Sequence, residues 1–456
     1  MKNRIGKKAA LLAGMLMAGG CVITSAFAVL SGQAEVKTEG LIRELVSGIP
    51  VMAAEDETAA GGNKFVKQEV TIPEVTFEQK EIPDTGAMQF VENMKLGWCL
   101  GNTFDASTDE NLDGDELKYE TLWCGAETTP ELIQSIKDAG FETIRIPVSW
   151  HNHVDEEFTI SDAWMDRVQE VVDYAVDADL HIIINIHHDN DPRFFYPDSE
   201  HLESSLNYVT TIWEQIAERF AEYDEKLIFE ALNEPRLVGT QYEWWLNPNA
   251  AECKEAVSCL NQLTQAFVDT VRSSGGNNGE RYLMIPGYCA SVDGAMNDGF
   301  QLPKDSVEDR LIVSVHAYTP YNFALQKPSE QGSVSTFDME SRSSTKDIDY
   351  LMNSLYEKWT SQGVPVVIGE FGAMFKDQNQ QARVDWASYY VAQARSVGIT
   401  CCWWDNNAFT GDGENFGLIS RFLRKWRFQD VVDAMMLYSA VPENEAKETS
   451  EAVENK

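Results

Sequence analysis

Eight short apolar runs recur along the chain, and each ends on or beside a polar residue. They cover 97–102, 143–149, 181–188, 227–235, 282–288, 311–318, 365–372 and 400–405. Ile182, Ile183 and Ile184 are apolar without alternation, and so are Val366, Val367 and Ile368. Strands buried on both faces read that way, and such strands belong to parallel sheets. The segments between the runs have helical period. Trp164, Val168, Val171, Val172 and Ala175 share one face, as do Val209, Ile212, Trp213, Ile216 and Phe220. Eight strands alternating with helices predict a closed (β/α)8 TIM barrel, a single α/β catalytic domain. The rival is a doubly wound open sheet, which is expected to carry a Gly-rich phosphate loop after its first strand. Gly97-Trp98-Cys99-Leu100-Gly101 does not supply one.

The barrel pattern occupies residues 84–440 of 456. Before it, Lys2, Arg4, Lys7 and Lys8 precede an uncharged run to Ala34, so 1–34 reads as a signal peptide or a membrane or lipid anchor. Ala26-Phe27-Ala28 offers a cleavage site, and Cys21 a weak lipidation box. Either way the chain is expected to be exported, secreted or held at the cell surface. Residues 35–83 read as an acidic linker, with one stray strand at 70–75, and 441–456 as an acidic disordered tail. Seven cysteines follow the leader, with no C-x-x-C and an odd count, so they cannot form a complete disulfide set. The net charge of −37 repels phosphate backbones and polyuronates. Nucleic acid is therefore excluded as a partner, and a neutral polymer fits better. No repeat or second binding module is visible, and a monomer is expected.

In a barrel of this kind the reacting groups sit where strands end. Arg145, His187, His188, Asn233, Glu234, His316, Tyr318, Glu370, Trp404 and Asp405 all lie at or near such ends. Each taken singly is more often a satisfied core residue, but eight strands ending this way weaken that reading together. Glu234 and Glu370 are carboxylates on apolar strands, the fourth and the seventh. A buried unpaired carboxylate is expensive, so each requires partners. Arg145 and Tyr318 are placed to hold Glu370 ionised. A drier setting is expected to raise the pKa of Glu234, so that it carries a proton. One ionised and one protonated carboxyl across a cleft is the pairing that glycoside hydrolysis needs.

The ordered set Gly97-Trp98-Cys99-Leu100-Gly101-Asn102-Thr103-Phe104-Asp105, Glu120-Thr121-Leu122-Trp123, Ile144-Arg145-Ile146-Pro147-Val148, Asn185-Ile186-His187-His188, Asn233-Glu234-Pro235, His316-Ala317-Tyr318, Gly369-Glu370-Phe371-Gly372 and Trp403-Trp404-Asp405-Asn406 closely resembles glycoside hydrolase family 5. The first two segments resemble its subfamily 4, and the likeness covers about residues 85–438. Cys99 stands where the family commonly has Asn. The resemblance implies a retaining endo-β-1,4-glucanase that needs no metal or organic cofactor. It implies Glu234 as acid/base and Glu370 as nucleophile, with Asn233 on the sugar 2-hydroxyl and Arg145 and Tyr318 orienting Glu370. It also implies that His187, His188 and His316 line the −1 sugar site and that Trp404, or Trp403, is the stacking platform. Xyloglucan, mixed-linkage glucan and mannan stay open as substrates.

Three other readings compete. His151, His153, His187, His188, His316 and Asp405 could form a metal site of a hydrolase, although no Lys ends the fourth strand. Asp109-Glu110-Asn111-Leu112-Asp113-Gly114 with Glu120 has EF-hand spacing, yet no amphipathic helix precedes it. A non-catalytic carbohydrate-binding barrel is disfavoured because both glutamates are present. Aromatic platforms beyond the −1 site are sought among Trp98, Trp123, Trp150, Phe194, Phe195, Tyr196, Trp244 and Trp245. For each of these, core packing is as good an account.

Overall fold

The computed structural model describes residues 67–439 apart from Asn111 and Asp113. Eight parallel strands close into a barrel in sequential order: β1 (Leu96–Leu100), β2 (Thr143–Ile146), β3 (His181–Asn185), β4 (Leu227–Glu230), β5 (Leu283–Pro286), β6 (Leu311–His316), β7 (Val366–Phe371) and β8 (Thr400–Asp405). Each is followed by a helix on the outside: α1 (Pro130–Asp138), α2 (Asp162–Asp177), α3 (Leu202–Arg219), α4 (Ala251–Ser273), α5 (Val292–Met296), α6 (Arg342–Lys358), α7 (Gln380–Ser396) and α8 (Gln429–Ser439). The (β/α)8 expectation is met.

Burial follows the expected faces. Along β2, β4 and β6 the outward residues Ile144, Phe229 and Val313 pack under the helices, together with Trp164, Ile212 and Trp213. Inward residues Cys99, Ile183, Ile228, Met284, Ile312, Val367 and Cys402 fill the barrel. The helix Gly86–Met94 plugs the end where strands begin. Its Phe90 ring stacks 3.7 Å from Tyr282, and Thr143 and Thr400 donate to its Met94 and Val91 carbonyls. Closing that end leaves the opposite rim open for chemistry.

The part of the expected linker that the structure describes, 67–83, has no helix or strand, so the strand foreseen at 70–75 does not form. No neighbouring strand offers it a ladder, because the barrel has no edge. Instead it is held by side chains: Thr71 bonds Gln381, and the Val75 amide donates to the Tyr438 hydroxyl. The expected leader and tail lie outside the described residues. The seven described cysteines are all unpaired.

Candidate active site

The polar rim converges on Arg145. Alternation along β2 turns Thr143 and Arg145 inward, and Arg145 is fully buried. Its guanidinium is shared three ways. Nε donates to Glu230 Oε2 at 2.8 Å, Nη1 to Glu370 Oε1 at 2.8 Å and Nη2 to Asn233 Oδ1 at 2.7 Å. Glu230 is completely buried and also accepts from Asn185 (2.9 Å) and Ser314 (2.5 Å). Sequence reasoning missed Glu230 as a site residue because it sits inside an apolar run rather than at its end. The signal was there: alternation puts Ile228 and Glu230 on the same inner face as Arg145.

Glu370 reaches the rim through an irregularity. Strict alternation after Val367 turns Gly369 inward and Glu370 out toward the helices. The β6–β7 register shifts at Val315/His316, and the β7–β8 register shifts between Ile368 and Phe371. A shift of this kind re-aims one side chain, and Glu370 turns inward beside Gly369. Space at Gly369 is tight: a Cβ would lie 3.2 Å from His316 Nε2 and 3.5 Å from both Arg145 and Glu230. Besides Arg145, Glu370 accepts from the Tyr318 hydroxyl at 2.9 Å.

Glu234 lies just past β4, partly open to the cleft. Its Oε1 is 2.9 Å from His316 Nδ1, and that same nitrogen is 3.7 Å from Glu370 Oε2. One carboxylate oxygen of Glu234, one of Glu370 and a His316 nitrogen all lie within 4.8 Å of one another. Arg145 Nη2 faces His316 Nε2 at 3.4 Å, so a neutral ring keeps its proton on Nδ1, toward Glu234. Burial pushes the Glu234 carboxyl up, but the His316 hydrogen bond and charge outweigh it and hold it below the ordinary carboxylate range. Burial pulls His316 down, and the charge of Glu370 with the Glu234 hydrogen bond lifts it above its usual value. The expected raised pKa of Glu234 is thus corrected to a lowered one. The sequence showed the dry strand but not the imidazole against the carboxyl. Between them, Glu234 and His316 hold one proton.

The remaining expected residues line the same cleft. Asn233 has its carbonyl oxygen taken by Arg145, which leaves its amide protons to donate. His187 accepts from Asn185 at Nδ1 (3.2 Å), so its neutral ring presents Nε2–H. Burial is the main cause holding it neutral, well below its usual pKa. Trp404 lies parallel to His187, with centroids 5.9 Å apart, and its indole rests on Gly101, where a Cβ would come within 2.6 Å of the ring. Trp403 points the other way, fully buried, with Nε1 donating to Phe416 O. Of the two, Trp404 is the one in the cleft. His188 is exposed, tilted against Trp123 at 5.7 Å. Cys99 lies beneath the site, and its Sγ donates to Gly369 O.

The proposed platforms separate by exposure. Trp98, Trp150 and Phe195 are core residues with no free face. Trp123, Trp244 and Trp245 are exposed.

The six ligands of the metal reading do not meet in one cluster. His151 Nδ1 is 2.6 Å from Asp189, and His153 stacks on Trp164. Asp405 accepts the Leu418 and Asn407 amides, bracing the loop after β8. The clusters with ligand-like spacing are instead Asp105–His187–His188 and Glu234–His316–Glu370. Two positions of the EF-hand reading, Asn111 and Asp113, lie outside the described residues. Its last ligand, Glu120, is already bound by Arg167 through both oxygens, at 2.9 Å each, and by the Thr128 amide.

Known proteins resemble the chain throughout this barrel. Residues 104–410 match the family described as Cellulase (glycosyl hydrolase family 5). Endoglucanase B of Neocallimastix patriciarum is 43% identical over 347 residues, 75% of this chain and 69% of its own. A glycoside hydrolase 5 lichenase from a Caldicellulosiruptor species, solved as a mutant in complex with cellotetraose, aligns with TM-score 0.81. It is 56% identical and covers 82% of this chain and 100% of that one. A GH5-4 broad specificity endoglucanase from Ruminococcus champanellensis, with bound cellotriose, gives TM-score 0.71 and 42% identity over 78% of this chain and 100% of its own.

Proposed function

The chain belongs to glycosyl hydrolase family 5, close to its subfamily 4 endoglucanases, and from that premise we propose that Glu370 and Glu234 divide the work of cleaving β-1,4-glucan. The enzyme is a retaining endo-β-1,4-glucanase. In the proposed scheme Glu370 attacks the anomeric carbon while Glu234 protonates the departing oxygen. Water, deprotonated by Glu234, then releases the glycosyl-enzyme. The observation that carries this is the approach of the two carboxylates within 4.8 Å. Double displacement uses a separation of about 5–5.5 Å, whereas inversion needs ~6.5–9.5 Å to admit a water.

The surroundings support the division. Glu370 accepts two donors, Arg145 and Tyr318, that favour an anion. Glu234 meets His316 through Oε1, which leaves Oε2 to serve the leaving group. Binding a sugar that excludes water favours the neutral form of both groups, and with it a proton on the Glu234 carboxyl. The amide of Asn233 is offered to the sugar 2-hydroxyl. Trp404 is offered to the flat face of the −1 ring, and His187 and His188 to its remaining hydroxyls. The 56% identical lichenase favours mixed-linkage β-glucan as a substrate beside cellulose-type chains. The basic, then uncharged N-terminus and a substrate too large to enter a cell support action outside it, secreted or tethered at the surface. Since one chain supplies every residue of the site, a monomer is sufficient.

Glu370→Gln and Glu234→Gln, assayed on carboxymethylcellulose, lichenan, xyloglucan and mannan, test the scheme. Glu370→Gln is expected to lose about 10⁴-fold or more on every substrate cleaved. Glu234→Gln is expected to lose as much on glucan but far less on an aryl cellobioside whose leaving group needs no proton. Full activity of Glu370→Gln sinks the mechanism. Mannan as the best substrate sinks the glucan preference.

A further inference from the structure

Arg236, two residues beyond the acid/base, has no role in the scheme above. Its Nη1 donates to the Glu234 carbonyl at 2.9 Å and lies 3.7 Å from Glu234 Oε2. Its Nε is 3.6 Å from Glu243 Oε1, and the guanidinium carbon is 4.0 Å from the Trp244 ring centroid. Nε is buried and makes no hydrogen bond. Glu243 is fixed in turn by the Gly239 amide at 3.0 Å, and the Arg236 amide by Asn190 at 2.7 Å. A buried N–H normally finds a close acceptor, and Nε has none although the side chain is only partly buried. The guanidinium is held on an indole face between two carboxylates and bonds neither side chain.

We propose that Arg236 is a positioning residue for the acid/base Glu234, keeping a fixed positive charge beside the oxygen that delivers the proton. Oε1 is engaged by His316, so Oε2 is the oxygen that faces the leaving group, and Oε2 is the one beside Arg236. A cation there makes the carboxylic acid stronger when it protonates the leaving oxygen. Because the guanidinium stays beyond hydrogen-bond reach, it does not compete for the lone pair that carries the proton. Glu243 tempers its charge, and the Trp244 face holds its plane. The proposal rests on the acid/base reading of Glu234.

The basic limb of kcat/KM against pH reports loss of the one proton held by Glu234 and His316, and its midpoint belongs to the pair. Other charged or titratable groups that face the pair are Glu370, Glu230 and Glu414, Tyr318, His187 and His188, Cys289 and Arg145. None of them changes in the test. Arg236→Gln removes the positive charge, so the proton is held more tightly and the limb moves up by roughly 1 pH unit. The rate on cellohexaose falls roughly threefold, and less on an activated aryl cellobioside. Glu243→Gln removes the counter-charge and moves the limb down. Arg236→Lys keeps the charge and restores the wild-type limb.

Opposite shifts in Arg236→Gln and Glu243→Gln, with rescue by lysine, are the expected result. A merely structural role moves neither limb. An unmoved limb in a folded Arg236→Gln overturns the proposal, and so does a lysine variant shifted as far as the glutamine one. If Arg236→Gln does not fold, Glu243→Gln decides alone: a limb that stays in place overturns the proposal. Glu234→Gln, run alongside, separates the two readings. If it keeps glucan activity and the basic limb, the acid/base assignment itself fails. If it abolishes that limb while Arg236→Gln leaves it in place, only the role of Arg236 fails.

Discussion

Replacing Glu230 by Gln changes one charge and almost no volume in the middle of the site. This carboxylate accepts from Arg145 Nε, Asn185 and Ser314, and Arg145 Nη2 lies 2.7 Å away as an ion-pair contact. An amide can keep Arg145 and Asn185 on its oxygen and turn its NH2 to the Ser314 hydroxyl, which reverses to accept. What is lost is the negative charge opposite a fully buried guanidinium. Breaking a buried pair costs about 3–5 kcal/mol, and Glu370 still faces Arg145, so the low end, about 3 kcal/mol, is expected. At ~2.1 cal/mol/K per residue, the roughly 370 described residues unfold with about 0.8 kcal/mol/K. The melting temperature should then fall by about 4 °C in calorimetry. Ser314→Ala removes a hydrogen bond to the same carboxylate but no charge, and is expected to cost about 1 kcal/mol. In Glu230→Gln, kcat/KM on cello-oligosaccharides should fall at least about tenfold, a barrier change of ~1.4 kcal/mol, while Ser314→Ala stays near wild type. Wild-type melting and kinetics in Glu230→Gln refute the reasoning. Equal effects in the two variants would show that packing, not charge, matters.

Further outcomes follow from the same geometry. Glu234 lies below its ordinary value of 4.5, so the stability it contributes is present above pH 4.5 and is lost as pH falls through its folded pKa. His316 lies above 6.5, so its contribution is complete below pH 6.5 and is lost as pH rises through its folded pKa. The pair therefore stabilises most between about pH 4.5 and 6.5, and His316→Asn should flatten both slopes of melting temperature against pH; a variant that keeps them contradicts the pairing. Gly101→Ala places a methyl 2.6 Å from the Trp404 indole and should cost about 1–3 kcal/mol of stability. It should also raise KM as Trp404→Ala does; KM unchanged in both variants would remove Trp404 as a platform.

Much of this architecture was legible in the sequence, for a physical reason. Buried parallel strands cannot hide their composition, and polar residues at their ends stand out against it. Arg145, His187, Asn233, Glu234, His316, Tyr318, Glu370 and Trp404 meet in one cleft because a closed barrel brings all its strand ends to one rim. Three kinds of information were out of reach. Glu230 and Ser314 are polar inside apolar runs, where the strand-end rule does not look. The register shift that turns Glu370 inward depends on how β6, β7 and β8 pair, which no local pattern encodes. The protonation of Glu234 depends on an imidazole 82 positions away in the chain, so dryness alone predicted the wrong direction. The stray strand at 70–75 failed for the opposite reason. Its local pattern suits a strand, but a closed barrel leaves no edge to pair with.

The placing of Glu230 bears on why the proposed nucleophile can work at all. Attack converts the Glu370 carboxylate into a neutral ester. If Arg145 had no other partner, the glycosyl-enzyme would hold an unpaired guanidinium in a dry core, and that cost would enter the barrier of the first step. Glu230 is not consumed, so Arg145 and Glu230 form a neutral pair once the ester exists. Before attack, the same arrangement divides one positive charge between two carboxylates, so Arg145 binds the lone pairs of Glu370 less tightly than a private ion pair would. Tyr318 adds a neutral donor that adds no charge to the balance. Glu230→Gln should therefore destabilise the glycosyl-enzyme more than the free enzyme. Formation of the intermediate should slow while its hydrolysis does not. With an activated aryl cellobioside, the variant should then show a smaller burst of phenol than wild type, and an undiminished burst would place the charge balance somewhere other than Glu230.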